Sequence, residues 1–296
     1  MKNVLIAVFS GTGNTLRTAD YFKKSFENHG YSAEILNINR NTPAPDTKKY
    51  SIIGFGYPIH AFNTPEIFNA FVKKLPQEEN KKCFVFKTSG EPFKINNSSS
   101  AKLFSLLKKK GYIPSNEIHL LMPYNIMFRY PDGIAAQMDY YSRKMAEKEV
   151  GNIIEGKKTH IKHGIFSRMA SVIFRIEQPS AKFNGRFYKA DTAKCINCML
   201  CAEYCPENNI KYENGRLIFG RNCSLCMRCS MNCPADAISI GLLKRWKVNP
   251  PYEFEKYAEE KIPFGINSAS KGYFGKFRKF FKQADIFIGE DKNKNL

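Results

Sequence analysis

Acid is scarce in this chain beside base. Its 296 residues carry 27 Asp and Glu against 46 Lys and Arg, a formal charge of +19. A field of that sign draws an acidic partner, and a reduction rate indifferent to ionic strength would sink that expectation. Long apolar runs are also missing. None approaches the ~20 residues that span a bilayer, which excludes an integral helical membrane protein. The first run, Val4–Phe9, is short, has no cleavage-site pattern and leads into a glycine-rich turn, so it reads as a strand and not as a signal peptide. Cysteine is nearly absent outside one segment. Of nine cysteines only Cys83 lies elsewhere, and an apolar run makes it a buried thiol in a strand.

The other eight cysteines form two copies of one signature. Cys195, Cys198, Cys201 and Cys205 recur as Cys223, Cys226, Cys229 and Cys233, each at an offset of 28, and Pro206 and Ile210 recur as Pro234 and Ile238. A whole unit has been duplicated. Thiolates at i, i+3 and i+6 on a tight loop can ligate three irons of one cubane while loop amides face its sulfides. Structural zinc favours separated cysteine pairs, and disulfides would need an oxidising compartment.

Over Tyr188–Ile240 this pattern resembles the bacterial ferredoxins that hold two [4Fe-4S] clusters, a small α+β fold. The resemblance implies that each fourth cysteine ligates the other cluster. Cluster I then takes Cys195, Cys198, Cys201 and Cys233, and cluster II takes Cys223, Cys226, Cys229 and Cys205.

Toward the amino terminus, the strand Val4–Phe9 ends in Ser10-Gly11-Thr12-Gly13-Asn14-Thr15, and a helical pattern follows. Strand, small hydroxyl and glycine loop, then helix is an arrangement that holds phosphate on backbone amides. The lysine of a P-loop is absent, and so is the third glycine of the dinucleotide fingerprint, whose place is taken by Leu16. The stretch resembles the phosphate loop of flavodoxins. Further strands are expected at Tyr31–Ile38, Tyr50–Gly56, Cys83–Thr88 and Ile118–Met122, with helices at Thr64–Lys74, Ser99–Lys110 and Ile134–Ile154. That alternation fits an α/β, flavodoxin-like, doubly wound parallel sheet of order 2-1-3-4-5, with ligand at the carboxyl ends of strands one and three.

The resemblance implies FMN, with its phosphate on Ser10–Thr15. The ring would lie between Tyr57, Pro58, Ile59 and His60 after strand three and Thr88, Ser89, Gly90 and Glu91 after strand four, stacked by Tyr57 or His60. The aromatic stretch Met122–Gly133 includes Asn125, Arg129 and Tyr130, which either contact flavin or substrate or plug the space against the second domain.

The domain organisation expected is 1–155 for the FMN domain, 156–186 for a connector, 187–241 for the cluster domain and 242–296 for a basic aromatic tail. Residues 156–190 hold eight Lys and Arg against one acid, Glu177, with Ile161, Ile165, Met169, Val172, Ile173 and Ile176 at helical spacing. Phe274, Phe277, Phe281 and Ala284 repeat the theme in the tail. Both helices are expected to dock on the protein and cover domain seams. The sharper reading is peripheral contact with a membrane surface or an acidic redox partner. Nucleic acid is not expected, since no recognised module accompanies the charge.

Taken together, residues 1–240 resemble flavodoxin–ferredoxin fusion proteins of anaerobic bacteria. The resemblance implies a cytoplasmic electron carrier that passes electrons between two [4Fe-4S] clusters and FMN. The alternatives are an FMN-dependent reductase of a small organic substrate fed by its own clusters, and a docking module whose flavodoxin-like domain is empty.

Overall fold

The structure is a computed structural model describing residues 2–248 and 250–290. Five parallel strands, β1 (Asn3–Val8), β2 (Ser32–Asn37), β3 (Ile52–Pro58), β4 (Lys81–Ser89) and β5 (Tyr112–Leu121), form one sheet in the order 2-1-3-4-5. This is the expected flavodoxin-like α/β class. β5 starts six residues before its expected position, because Tyr112–Glu117 pairs with Lys81–Val85 before the apolar run begins.

Period-two alternation sends the residues of β1 to two cores. Val4, Ile6 and Val8 pack with Phe22 and Phe26 of α1 (Asn14–Asn28) and with Met138, Tyr141 and Met145 of α4 (Asp132–Ile154). Leu5 and Ala7 face the other side, against Ile67, Phe68 and Phe71 of α2 (Glu66–Lys74) and Leu103 and Leu107 of α3 (Ala101–Lys109). Gly54 and Gly56 of β3 leave room for the rings of Phe84 and Phe86 on β4, where a β-carbon would overlap them. Cys83 is buried in β4, as expected of an inert thiol.

Across the second core runs a polar contact that the sequence did not announce. Lys87 of β4 is fully buried, and its Nζ donates to Glu117 Oε1 of β5 at 2.7 Å and to the Asn97 carbonyl at 2.7 Å. His163 Nε2 lies 3.0 Å from the other carboxylate oxygen. Burial alone would push the Glu117 carboxyl up. The hydrogen bond from His163 and the charge and hydrogen bond of Lys87 outweigh it and hold the carboxyl down at about 2.

After α4 come α5 (Ile165–Ile173) and α6 (Glu177–Gly185), then the cysteine-rich part. There β6 (Tyr188–Ala190) pairs antiparallel with β9 (Ile238–Ile240), and β7 (Ile210–Glu213) and β8 (Arg216–Phe219) form a hairpin. Asn214 and Gly215 turn that hairpin, both with positive φ as a tight two-residue turn demands. Single helical turns α7 (Leu200–Glu203) and α8 (Arg228–Met231) follow the two cysteine loops.

The tail returns to the sheet. On α10 (Gly272–Ile288), Phe277, Phe281 and Ala284 are buried against α4, with the Phe281 and Tyr141 rings stacked at 4.7 Å. On α9 (Phe254–Glu259), Phe254 and Tyr257 pack with Met122 and Ala135. The tail helix therefore docks, as expected.

The connector helix docks differently. α5 meets the Lys94–Ser100 turn through its small residues Ser167, Ala170 and Ser171, which are buried, while its large apolar side chains face outward. The expectation that its apolar face covers a seam is corrected by these contacts. Hydrogen bonds of Ser167 and Ser171 fix the helix's rotation, so its apolar stripe cannot turn inward.

Candidate functional site

The two cysteine loops share one backbone. Asn197, Met199 and Asn208 have φ of 53°, 61° and 50°, and Leu225, Met227 and Asp236, each 28 positions later, have 54°, 65° and 46°. Left-handed backbone is costly for such residues, and its repetition at corresponding places marks a shape held for a purpose. The amides it turns inward find sulfur. Asn209 N–H donates to Cys205 Sγ and Ala237 N–H to Cys233 Sγ, both at 3.3 Å, and Leu225 N–H donates to Cys223 Sγ at 3.4 Å.

Each fourth cysteine stands with the other loop. Cys205, Cys223, Cys226 and Cys229 together line one small hollow, walled also by Tyr188, Ile210, Phe219 and Met227. The Cys201 thiol is pushed up by burial and then by the neighbouring charges of Cys233, Cys195 and Cys198. Among the described residues no three candidate ligands converge on one ion-sized point. The four thiols of that hollow stand around a volume and would serve as the ligands of a multi-iron cube. The donor set fits a [4Fe-4S] group. Gly185 at the end of α6 allows the Cys223 side chain to approach, since a β-carbon there would overlap it.

On the sheet, the Ser10–Thr15 loop lies at the carboxyl end of β1 and opens α1. Gly13 occupies the cap position with φ 100°, no side chain caps the helix, and its first turn carries no acid. Free amides at the start of a 15-residue helix are an anion site. Thr12 Oγ1 accepts from Asn125 Nδ2, so its own proton remains available. Asn14 Nδ2 donates to the Pro123 carbonyl at 2.8 Å, and Thr15 shares a 2.8 Å hydrogen bond with Thr88. Thr15 and Thr88 are both buried. The loop fits a phosphate through its backbone and Thr12.

Ring contacts are where the sequence reading needs correction. Tyr57 belongs to β3, and its fully buried ring packs on Phe68 inside the core, with its hydroxyl 3.3 Å from Ser99. It cannot stack on a ligand at the sheet edge. Pro58, Ile59 and His60 remain half-buried at that edge, and burial pulls the His60 imidazole down to about 4. The next two residues, Ala61 and Phe62, are held in left-handed backbone with φ of 48° and 59°. In the loop after β4, Ser89 bonds His119 Nε2 at 2.7 Å, and the Tyr124 ring lies where a β-carbon on Gly90 would be. Tyr130 donates to the Gly90 carbonyl at 2.8 Å, and Tyr273 of α10 donates to Glu91 at 2.8 Å. An aromatic cover thus comes from the segment after β5 and from the tail.

The sequence also missed the joint between the two halves. Gly11 touches the cysteine loop so closely that a β-carbon on it would overlap the Cys226 carbonyl. Arg228, between Met227 and Cys229, donates through its guanidinium to the carbonyls of Ser10 and Gly11, and to Tyr204 at 3.2 Å. Arg40 N–H donates to the Pro206 carbonyl at 2.7 Å and its guanidinium pairs with Glu207 at 3.1 Å. No motif announces the contacts that cross the joint, since their partners lie 166 or more positions apart.

Comparison with known proteins supports iron–sulfur binding at the first cysteine run. The 4Fe-4S binding domain family matches residues 188–211. An uncharacterized protein of Methanocaldococcus jannaschii is 33% identical over 81 residues, 27% of this chain and 52% of the relative. The chain thus spans about half the length of that relative. NADH-quinone oxidoreductase subunit I 2 of Geobacter metallireducens is 27% identical over 128 residues, 38% of this chain and 91% of the relative. Among solved structures, oxidised flavodoxin 1 from Bacillus cereus shares 17% identity and covers 48% of this chain and 95% of its own, with a TM-score of 0.36. Among the described residues no helix is long and apolar enough to cross a membrane. The chain joins a flavodoxin-like α/β sheet to a 4Fe-4S binding domain.

Proposed function

We propose that this protein passes electrons between two [4Fe-4S] clusters and a bound FMN. The observation that carries the reading is the joint at Gly11, Cys226 and Arg228, where the anion-binding loop of the sheet meets the loop that offers three thiols. The clusters exchange single electrons and FMN holds two, so together they convert one kind of transfer into the other. Cys223, Cys226, Cys229 and Cys205 hold the cluster beside the flavin domain. Cys195, Cys198, Cys201 and Cys233 hold the second, whose loop leaves Cys198 and Ile196 exposed to an outside partner. Ser10–Thr15 hold the phosphate, while Tyr124, Tyr130 and Tyr273 cover the loop after β4. Such a cover suits a carrier better than an enzyme that must admit an organic substrate.

Anaerobic reductive titration of the reconstituted full chain is the test. About four electrons per chain, with the flavin bleached, are expected. Uptake of about two, with no flavin bleaching, would refute the proposal. In Thr12→Val, loss of one hydroxyl bond to a charged phosphate should weaken flavin binding about tenfold or more, with iron unchanged. Flavin affinity equal to the wild type would remove Thr12 from the site.

A further inference from the structure

Among the described residues, the outer face of α5 has no partner. Ile165, Phe166, Met169, Val172, Ile173 and Ile176 are each more than half exposed, with Phe166 at 87% and Ile165 at 77%. Spaced by helical repeats, they form one ridge, and a contiguous apolar surface of this kind on a soluble fold marks a contact site. Its outward direction is built in. Ser167 meets Ser98 at 2.6 Å, and the Ser171 carbonyl accepts from Asn63 at 2.8 Å, so the small face of α5 is locked against the sheet domain. Phe174, one residue past α5, packs on Phe62 with ring centroids 4.8 Å apart.

Charge says what covers the ridge. Arg168 and Arg175 flank it and are exposed. Beyond it, Lys182, Arg186 and Arg221 ring an open depression floored by Ile176, Pro179 and Phe183. Glu177 is the one acid between residues 156 and 190. A second copy of the chain would bring these cations against one another across a symmetry axis. A convex apolar ridge edged with Arg and Lys matches an anionic bilayer surface, which takes bulky side chains between its acyl chains and cations at its phosphates.

We propose that α5 and α6 form a docking surface for an anionic lipid bilayer. The helices lie in the interfacial plane, with the ridge below the headgroups and Lys182, Arg186 and Arg221 on lipid phosphates. Phe174 rests on the loop after β3, and Gly185 presses on Cys223, so the docked face lies beside both halves of the electron-transfer site.

Co-sedimentation of the reconstituted full chain with vesicles tests this. Vesicles of equimolar phosphatidylglycerol and phosphatidylcholine should retain the protein, and vesicles of phosphatidylcholine alone should bind it about tenfold more weakly. The double substitution Phe166→Gln and Ile173→Gln changes only exposed side chains. It should weaken binding to the anionic vesicles about tenfold, with iron content unchanged as the check on folding. Lys182→Glu with Arg186→Glu should do the same through charge. Failure to bind the anionic vesicles overturns the proposal, as does binding that the glutamine substitutions leave intact. Retention on a polyglutamate resin without vesicle binding would assign the face to an acidic protein. A dimer that those substitutions dissociate, again without vesicle binding, would assign it to a second copy.

Discussion

Replacing Cys205 and Cys223 together by serine should leave about half of the iron bound, whereas replacing Cys205 and Cys195 together should leave almost none. In the proposed crossed ligation Cys205 shares a cluster with Cys223, so the first pair disables one site twice and the second pair disables both. Ligation in sequence order would reverse the two results. The geometry behind the expectation is the hollow lined by Cys205 together with the three thiols of the second loop. Iron and acid-labile sulfide, counted after anaerobic reconstitution, are the quantities to measure. Equal iron in the two double variants would defeat the assignment. A second signature comes from the single variant Cys205→Ser, in which the surviving cluster has no reduced neighbour. Its EPR spectrum after reduction should lack the broadening that two adjacent paramagnets impose on each other.

The largest effect on stability is expected at Glu117. Replacing it by Gln leaves the Lys87 ammonium, fully buried between β4 and β5, facing a neutral amide. Breaking a buried pair from one side costs about 3–5 kcal/mol, or about 10 °C in melting temperature for a chain of this size. The double variant Lys87→Met with Glu117→Leu removes both charges and should recover most of that loss, because the cost lies in the unpaired charge and not in the shape of the site. A single variant that melts within a degree or two of the wild type would remove the pair from the account of stability.

The same carboxylate sets a pH dependence. Its folded pKa, about 2, lies below its unfolded value of about 4.3, so its contribution is complete above the unfolded value. That contribution is lost as pH falls from about 4.3 toward 2. Melting followed by circular dichroism should therefore converge for wild type and Glu117→Gln over that window. Other carboxylates titrate in both proteins, so the difference between the two curves isolates this one. A gap that stays constant down to pH 3 would contradict the assignment.

How much of this was legible beforehand follows from the range of each signal. The offset of 28 between the cysteine runs is a local regularity, and it foretold two loops of one shape. The left-handed residues Asn197 and Leu225 obey it although nothing in their identities requires φ above zero. The βα alternation was enough for a doubly wound parallel sheet, and the resemblance of the Ser10–Thr15 loop to that of flavodoxins supplied the order 2-1-3-4-5, which alternation alone does not fix. The burial of Tyr57 does not show in the sequence, for a definable reason. One position along a strand reverses the face, and the sequence does not say where β3 ends and its loop begins. Lys87 and Glu117 look like ordinary surface charges in the sequence. Their burial shows only when β4 and β5 lie side by side.

Sequence by itself determined the duplicated cysteine runs, the phosphate-type loop, the βα alternation and the excess of positive charge, since each rests on spacing, periodicity or composition along the chain. Tertiary structure alone decided which loops meet. Gly11 reaches Cys226 across 215 positions, and Tyr273 reaches Glu91 across 182. It also decided which way α5 faces, because a helix with a small polar stripe and a large apolar one can bury either. Two hydrogen bonds, from Ser98 and Asn63, settle that the small stripe goes in. Periodicity reports which residues share a face. Only packing reports what that face is set against.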